Sequence, residues 1–335
     1  MSPPYSPRPH SLHRPRALRP GDRVAVLCVS SPVTNQAAFD FGLDALRFAG
    51  LDPVVYSSAR APGTLRPYLA GDDKRRASDL TDALTDPDIA GIMFAKGGYG
   101  AQRTLEAMDW DALTARPPAP KVIAGFSDIT VILQAVATQL GWASLFSPTV
   151  ANSAEASQYS LASLLRTVTR PEHATEIGYP HAVTVVPGVS RGVTMGGTLA
   201  LLTSSIGTPT AARSADGGIL LLEDVNEEDF RIDRMLTHLR RSGYLDGIQG
   251  IVTGSFTDCG PREDIEAILA ERLGDLGVPM ISWADVGHGG PFQTFPIGIA
   301  AELDAAARTL RLLDPPLKPA GAVPDPGAGA RPGRR

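Results

Sequence analysis

Between residues 22 and 146, short apolar runs rich in β-branched residues alternate with stretches of helical periodicity. The runs fall at 24–29, 53–56, 89–94, 122–126 and 143–146. The helical patterns fall at 36–49, 72–84, 101–108 and 129–140. Strand–helix alternation with short loops predicts a parallel sheet with helices on both faces. Ligands of such sheets bind at the carboxyl ends of the strands. Three notable segments fall at such ends: Ser30-Ser31-Pro32, Lys96-Gly97-Gly98-Tyr99-Gly100 and Ser127-Asp128.

The pattern changes after residue 152. Residues 152–189 read as a helix followed by an irregular connection, with one strand near 181–187. A second region starts at Arg191. It contains Gly196-Gly197-Thr198, a helical pattern at 199–206, a strand at 218–224 and an amphipathic helix at 228–241. A strand at 248–253, a helix at 262–273 and a strand at 280–283 follow, with two short strands around 297–303 and 309–313. The expected organisation is a disordered arm (1–17), an N-terminal α/β domain (18–165), a linker (166–190), a smaller mixed α/β C-terminal domain (191–314) and a disordered tail (315–335). The arm is rich in Pro, Arg and Ser and the tail in Pro, Gly and Ala, and the disorder is expected from that composition.

Charge narrows the function classes. The formal net charge of the 335 residues is −5, but Arg8, Arg14, Arg16 and Arg19 place four positive charges in the arm. The tail carries a net three more, which leaves about −12 for the middle. An acidic body disfavours nucleic acid, which demands clustered positive charge. No apolar run reaches the eighteen residues of a membrane span. The start lacks the apolar core of a secretory signal, so the cytoplasm is the expected compartment. Cys28 and Cys259 are too few for a disulfide framework or a zinc site. Cys28, inside an apolar run, reads as a buried structural thiol. The six His show no metal-ligand spacing, and no metal or cofactor is expected.

Four patches can carry chemistry. In the first, Lys121-Val-Ile-Ala-Gly-Phe-Ser127-Asp128-Ile-Thr, an apolar run reaches a Gly and a Ser stands where a helix begins. That is the layout of an N-cap, and also of a serine nucleophile lifted beside free helix N–H groups. The last position of Gly125-Phe-Ser127-Asp-Ile129 departs from G-x-S-x-G. The second patch, 96–100, has three Gly in five residues and allows close backbone approach, but it matches neither nucleotide-phosphate motif. The third places Glu223 at the end of an apolar strand, whereas Glu227, Glu228 and Asp229 suit the first turn of the next helix. The fourth sets His288 among glycines in a loop. Ser127, Glu223 and His288 thus occupy three loop positions in the order Ser…Glu…His. Triad logic would make His288 the base for Ser127 and Glu223 its orienter. The backbone N–H groups of Gly98 and Asp128 are candidates for an oxyanion site.

These pieces, with Gly21-Asp22-Arg-Val24, Gly97-Gly98-Tyr99-Gly100, Gly196-Gly197, Glu223-Asp224, Phe230-Arg-Ile-Asp-Arg-Met-Leu236, Gly287-His288 and Pro296-Ile-Gly298, resemble the LD-carboxypeptidase (muramoyltetrapeptide carboxypeptidase) family of serine peptidases. The resemblance runs from about Leu18 to Leu313. It implies a Ser-His-Glu triad on Ser127, His288 and Glu223, a Rossmann-like N-terminal domain, an active site between two domains and a homodimer. It also implies release of the terminal D-Ala from murein tetrapeptide in cytoplasmic cell-wall recycling. Arg231 and Arg234 are candidates for the substrate carboxylate, and Tyr99 for lining the site. Two positions depart from the family: Lys96 stands where Arg is common, and Thr198 where Asn is common. A second reading is a hydrolase similar to microcin C immunity protein, which cleaves an amide in a peptidyl or aminoacyl nucleotide. The compact interval between Ser127 and Glu223 leaves little room for the added base-stacking loop of that branch. A third reading is a non-catalytic small-molecule binder on the same scaffold, which would have no need of all three triad residues.

Overall fold

The computed structural model describes residues 11–61, 66–152 and 158–320. The first half runs β1 (Arg23–Leu27), α1 (Gln36–Phe48), β2 (Asp52–Val55), α2 (Asp73–Thr85), β3 (Ile89–Phe94), α3 (Ala101–Glu106), α4 (Trp110–Ala115), β4 (Val122–Gly125), α5 (Thr130–Ala135) and β5 (Ser144–Phe146). The second half runs α6 (Gln158–Thr169), β6 (Glu176–Gly178), β7 (Val183–Val186), β8 (Val189–Thr198), α7 (Leu199–Ser205), β9 (Gly218–Val225) and α8 (Asp229–Arg241). It ends with β10 (Gly250–Thr257), α9 (Arg262–Leu273), β11 (Met280–Ser282), β12 (Phe295–Ile297), β13 (Ala300–Asp304) and β14 (Thr309–Leu312).

The protein is α/β, with two sheets. The first has the order β12-β5-β4-β3-β1-β2, parallel except for β12. Its central strands are buried on both faces, which is why they read as unbroken apolar runs. Strand order reverses between β1 and β3, and the crevice at such a reversal is where open α/β sheets bind ligands. Asn35 and Asp72 cap α1 and α2 by accepting from the Ala38 and Arg75 amides at 3.0 and 2.7 Å. Cys28 is fully buried, and burial pushes its thiol up to about 12.

The second sheet has eight strands, β6-β14-β13-β8-β9-β10-β11-β7, with β8 to β11 parallel and the rest antiparallel. The segment expected as a linker, 166–190, supplies both of its edge strands, β6 and β7. These strands have three and four residues, too short to show a period. The first of the two final short strands, expected near 297–303, is two strands. β12 crosses back to pair with β5 of the first sheet, and β13 pairs with β8. One apolar core therefore reaches from Leu27 and Phe94 in the first unit to Leu221 and Leu303 in the second.

The chain ends also differ from expectation where they are described. Residues 11–17 are packed rather than disordered. The Leu12 amide donates to the Gly298 carbonyl at 2.7 Å, the His13 amide to Gly141 at 2.8 Å, and the Ala17 amide to Lys318 at 2.8 Å. Proline forbids a helix here but not extended pairing, and Ala17, Leu18 and Leu317 supply buried apolar anchors. Residues 315–320 run beside this segment. Residues 1–10 and 321–335 lie outside the described residues.

Candidate active site

Ser127 stands where β4 hands over to a short 3-10 turn and then α5, with its backbone at φ +63°. The left-handed region costs a non-glycine residue about 1–2 kcal/mol, and a sharp strand-to-helix turn of this kind presents a side chain clear of the sheet. The missing glycine at position 129 is explained by its partner. A Cβ on Gly125 would lie 2.9 Å from Ile129 Cγ2. One glycine of the facing pair is enough, because the other residue fills the space. A Cβ on Gly97 would lie 3.0 Å from Ser127 Cβ, so the glycine loop comes directly against the serine.

Asp128 is buried, and its Oδ2 accepts from Ser30 Oγ at 2.6 Å and from the Ala101 amide at 2.8 Å. Burial raises its carboxyl above the usual range, against the lowering effect of these bonds. The side chain ties the serine turn to the start of α3 and so to the 96–100 loop. In that loop Gly98 has φ +109°, and a Cβ there would lie 2.3 Å from Ser31 Oγ. Ser31 Oγ in turn donates to the Tyr68 carbonyl at 2.8 Å and accepts from the Tyr99 amide at 3.2 Å. Lys96 Nζ donates to Thr34 Oγ1 at 2.8 Å.

Glu223 is fully buried, two residues inside the end of β9 rather than at its terminus. It accepts from three donors. Oε2 takes His288 Nδ1 at 2.7 Å and the His288 amide at 3.2 Å, and Oε1 takes Thr198 Oγ at 2.5 Å. An ionised carboxylate can only accept, so Nδ1 carries the imidazole proton and Nε2 keeps its lone pair. A Cβ on Gly287 (φ +110°) would lie 2.5 Å from Glu223 Oε2, so glycine lets the His288 loop approach the acid. Burial alone would lower the His288 pKa, but the charge and hydrogen bond of Glu223, with the charge of Asp224, raise it on balance.

Glu223 and His288 thus meet, and the serine turn lies beside them. The His288 ring lies 4.8 Å from the ring of Phe126, the residue before Ser127. Phe126 and Phe292, whose rings are 5.1 Å apart, join the two units beside them. A hydrogen bond from Ser127 Oγ to His288 Nε2 is not among those of the described residues. Tyr99, Arg231 and Arg234 line one cleft of about 490 Å³ between α3 and α8, together with Asp128. Arg231 pairs with Glu227, whereas Arg234 lies over the Phe230 ring at 5.4 Å. Of the acids expected in the first turn of α8, Asp229 is there, while Glu227 precedes the helix. Sequence reasoning missed the contacts of Ser30 and Thr198. Ser30 was marked only by its strand-end position, and Thr198 only as a departure from a common Asn.

Two family models match the chain. The LD-carboxypeptidase N-terminal domain covers residues 24–147, and the LD-carboxypeptidase C-terminal domain covers residues 191–303. The chain belongs to the LD-carboxypeptidase family. It is accordingly a hydrolase, a serine-type carboxypeptidase. This LD-carboxypeptidase is 45% identical over 311 residues to a Streptomyces coelicolor protein named as a carboxypeptidase, covering 91% of this chain and 98% of that one. It is 32% identical over 298 residues to the murein tetrapeptide carboxypeptidase of Pseudomonas aeruginosa, covering 84% and 93% of the two chains. Among solved structures it is similar to the muramoyltetrapeptide carboxypeptidase of Oxalobacter formigenes (TM-score 0.71, 25% identity, 87% of this chain and 97% of that one). The microcin C7 self-immunity protein MccF shares the fold (TM-score 0.81, 23% identity, 91% and 99% coverage). In this LD-carboxypeptidase the N-terminal match spans β1 to β5 and the C-terminal match most of β8 to β13, with α6, β6 and β7 between them.

Proposed function

We propose that this LD-carboxypeptidase releases the terminal D-Ala from murein tetrapeptide, with Ser127 as nucleophile, His288 as general base and then acid, and Glu223 as orienting carboxylate. The observation that carries this reading is the 2.7 Å hydrogen bond between His288 Nδ1 and Glu223, on an imidazole packed beside the serine turn. His288 Nε2 takes the Ser127 proton as Oγ attacks the carbonyl of the L-centre, and small closing motions on substrate binding are normal for such contacts. The amides of Gly98 and Asp128 hold the oxyanion, each donor worth roughly 3 kcal/mol. His288 then protonates the departing D-Ala amine, and water resolves the acyl-enzyme by the reverse proton path. Arg234 has no carboxylate partner among the described residues and receives a substrate carboxylate, with Arg231 and Tyr99 lining the same cleft. We also infer a cytoplasmic role in cell-wall recycling and a homodimeric working unit, which light scattering on the purified protein tests.

The deciding assay incubates the protein separately with murein tetrapeptide and with a sulfamoyl aminoacyl adenylate. D-Ala release that is lost in Ser127→Ala and survives a chelator supports the reading. Cleavage of the adenylate without D-Ala release would replace it with a nucleotide-directed hydrolase. Inactivity towards both would leave a binding protein.

A further inference from the structure

Thr198, the last residue of β8, lies opposite Glu223 in the parallel pairing of β8 with β9. It faces two ways. Its hydroxyl donates to Glu223 Oε1 at 2.5 Å, and its amide donates to Thr130 Oγ1 at 3.1 Å. Thr130 opens α5, three residues after Ser127, and both threonines are buried. The close approach depends on Gly197 at φ +142°, where a Cβ would lie 2.6 Å from Thr130 Oγ1. One residue thus holds the acid by its side chain and the serine helix by its backbone, across the boundary between the two units.

The two oxygens of Glu223 are served differently. Oε2 takes both donors from His288, and Oε1 takes the Thr198 hydroxyl. A carboxylate held at one oxygen only can turn about its last bond. A carboxylate held at both has a fixed plane and shares its charge between them. We propose that Thr198 is a positioning residue: its hydroxyl fixes the Glu223 carboxylate against His288, while its amide sets that pair in register with the Ser127 turn. The inference rests on the triad reading of Ser127, His288 and Glu223.

Loss of the hydroxyl leaves more of the carboxylate charge facing His288. The charged groups acting on that imidazole are Glu223 and Asp224, both from β9, and the ring packed on it, Phe126, is neutral. The imidazole pKa therefore rises further when the hydroxyl is removed. The consequence for turnover is a misplaced base, and small misplacements cost on the order of 10- to 100-fold.

The test compares wild type with Thr198→Val, which keeps the shape without the hydroxyl, and Thr198→Ser, which keeps the hydroxyl. The His288 imidazole is titrated by NMR in each, with its resonance assigned through His288→Gln, and kcat and KM are measured for D-Ala release. Thr198→Val is expected to raise the imidazole pKa by several tenths of a unit and to lower kcat about 10- to 100-fold with KM within about twofold. Thr198→Ser is expected to stay close to wild type in both. Should valine prevent folding, Thr198→Ala carries the same expectation. An unchanged His288 titration in the hydroxyl-free variant overturns the proposal, whatever its activity. A titration that shifts while wild type releases no D-Ala would fault the substrate reading and leave the role of Thr198 intact, because the titration needs no substrate.

Discussion

Ser127 is held at φ +63°, and that conformation is a cost of the folded state which its neighbours must sustain. Ser127→Gly should therefore abolish activity yet unfold at a higher denaturant concentration than Ser127→Ala, by about 1 kcal/mol, since glycine accepts the left-handed region freely. Equal stability of the two variants would show that the turn is relaxed. The second residue-scale effect lies in the Glu223–His288 pair, where the acid raises the imidazole pKa against the lowering effect of burial. A base must be neutral to act, so kcat/KM should rise through a pKa above the ordinary imidazole value of about 6.5. Stability runs the other way. A raised folded-state pKa contributes stability that is full below the unfolded pKa and is lost as pH rises through the folded one. The pH range of activity is thus the range in which this pair contributes least to folding. Glu223→Gln keeps the burial and removes the charge. It should move the acid limb of the pH–rate profile below the wild-type position and lower kcat by roughly 10²- to 10⁴-fold. A limb that stays in place would separate His288 from the activity.

At the scale of elements, the serine turn and the glycine loop act as one piece because Asp128 joins them. Its carboxylate accepts from Ser30, three residues beyond β1, and from Ala101 at the start of α3. Asp128→Ala leaves that amide and that hydroxyl without their acceptor. It should cost about 1–3 kcal/mol in denaturant unfolding and lower kcat more than KM, because the 96–100 loop is no longer held against Ser127. Asp128→Asn retains one accepting oxygen and should fall between. This junction was only partly legible in the sequence. The strand–helix alternation announced β1 to β5 and their helices except the six-residue α4, and the strand ends pointed to Ser30, Gly98 and Ser127. What the chain does at those ends was not announced. The pattern over 129–140 reads as one helix but is built as a 3-10 turn, α5 and a π-helical turn at Val136–Leu140, pieces of three, six and five residues that are each too short to show their different periods. β6 and β12 escaped because three residues carry no period, and their pairing partners are distant in sequence; β7 was legible as the strand near 181–187, but not its place at the edge of the second sheet. Ile129 looked like a defect in a motif, and only the space over Gly125 shows why it is tolerated.

At the scale of the molecule, the chain crosses between its sheets just after His288, through β12, which joins the first sheet before β13 returns to the second. The base therefore sits on a loop whose far end is a shared element. The N-terminal segment straps that element down. The Leu12 amide bonds Gly298 at 2.7 Å, Ser11 Oγ accepts from the Ala300 amide at 3.0 Å, and His13 pairs with Gly141 and Ala143 at 2.8 and 3.0 Å. Leu12 also covers Gly298, where a Cβ would lie 2.5 Å from its Cδ1. Each such bond contributes about 0.5–1.5 kcal/mol net, so deleting residues 1–14 should cost a few kcal/mol. In a chain of this size that is a fall of several degrees in Tm. The loss should be local before it is global, with amide exchange rising first at β12 and β13 and not at β1 or β3. Turnover at low temperature should stay within a few-fold of the full chain, because among the described residues the bonds of 11–13 go to Gly298, Ala300, Gly141 and Ala143 and not to Ser127, Glu223 or His288. Inactivation should begin at a lower temperature, as the loop that carries His288 loses its anchor. A truncated chain with unchanged Tm and unchanged exchange at β12 would show that the shared aromatic core around Phe126 and Phe292 fixes the two units without the strap.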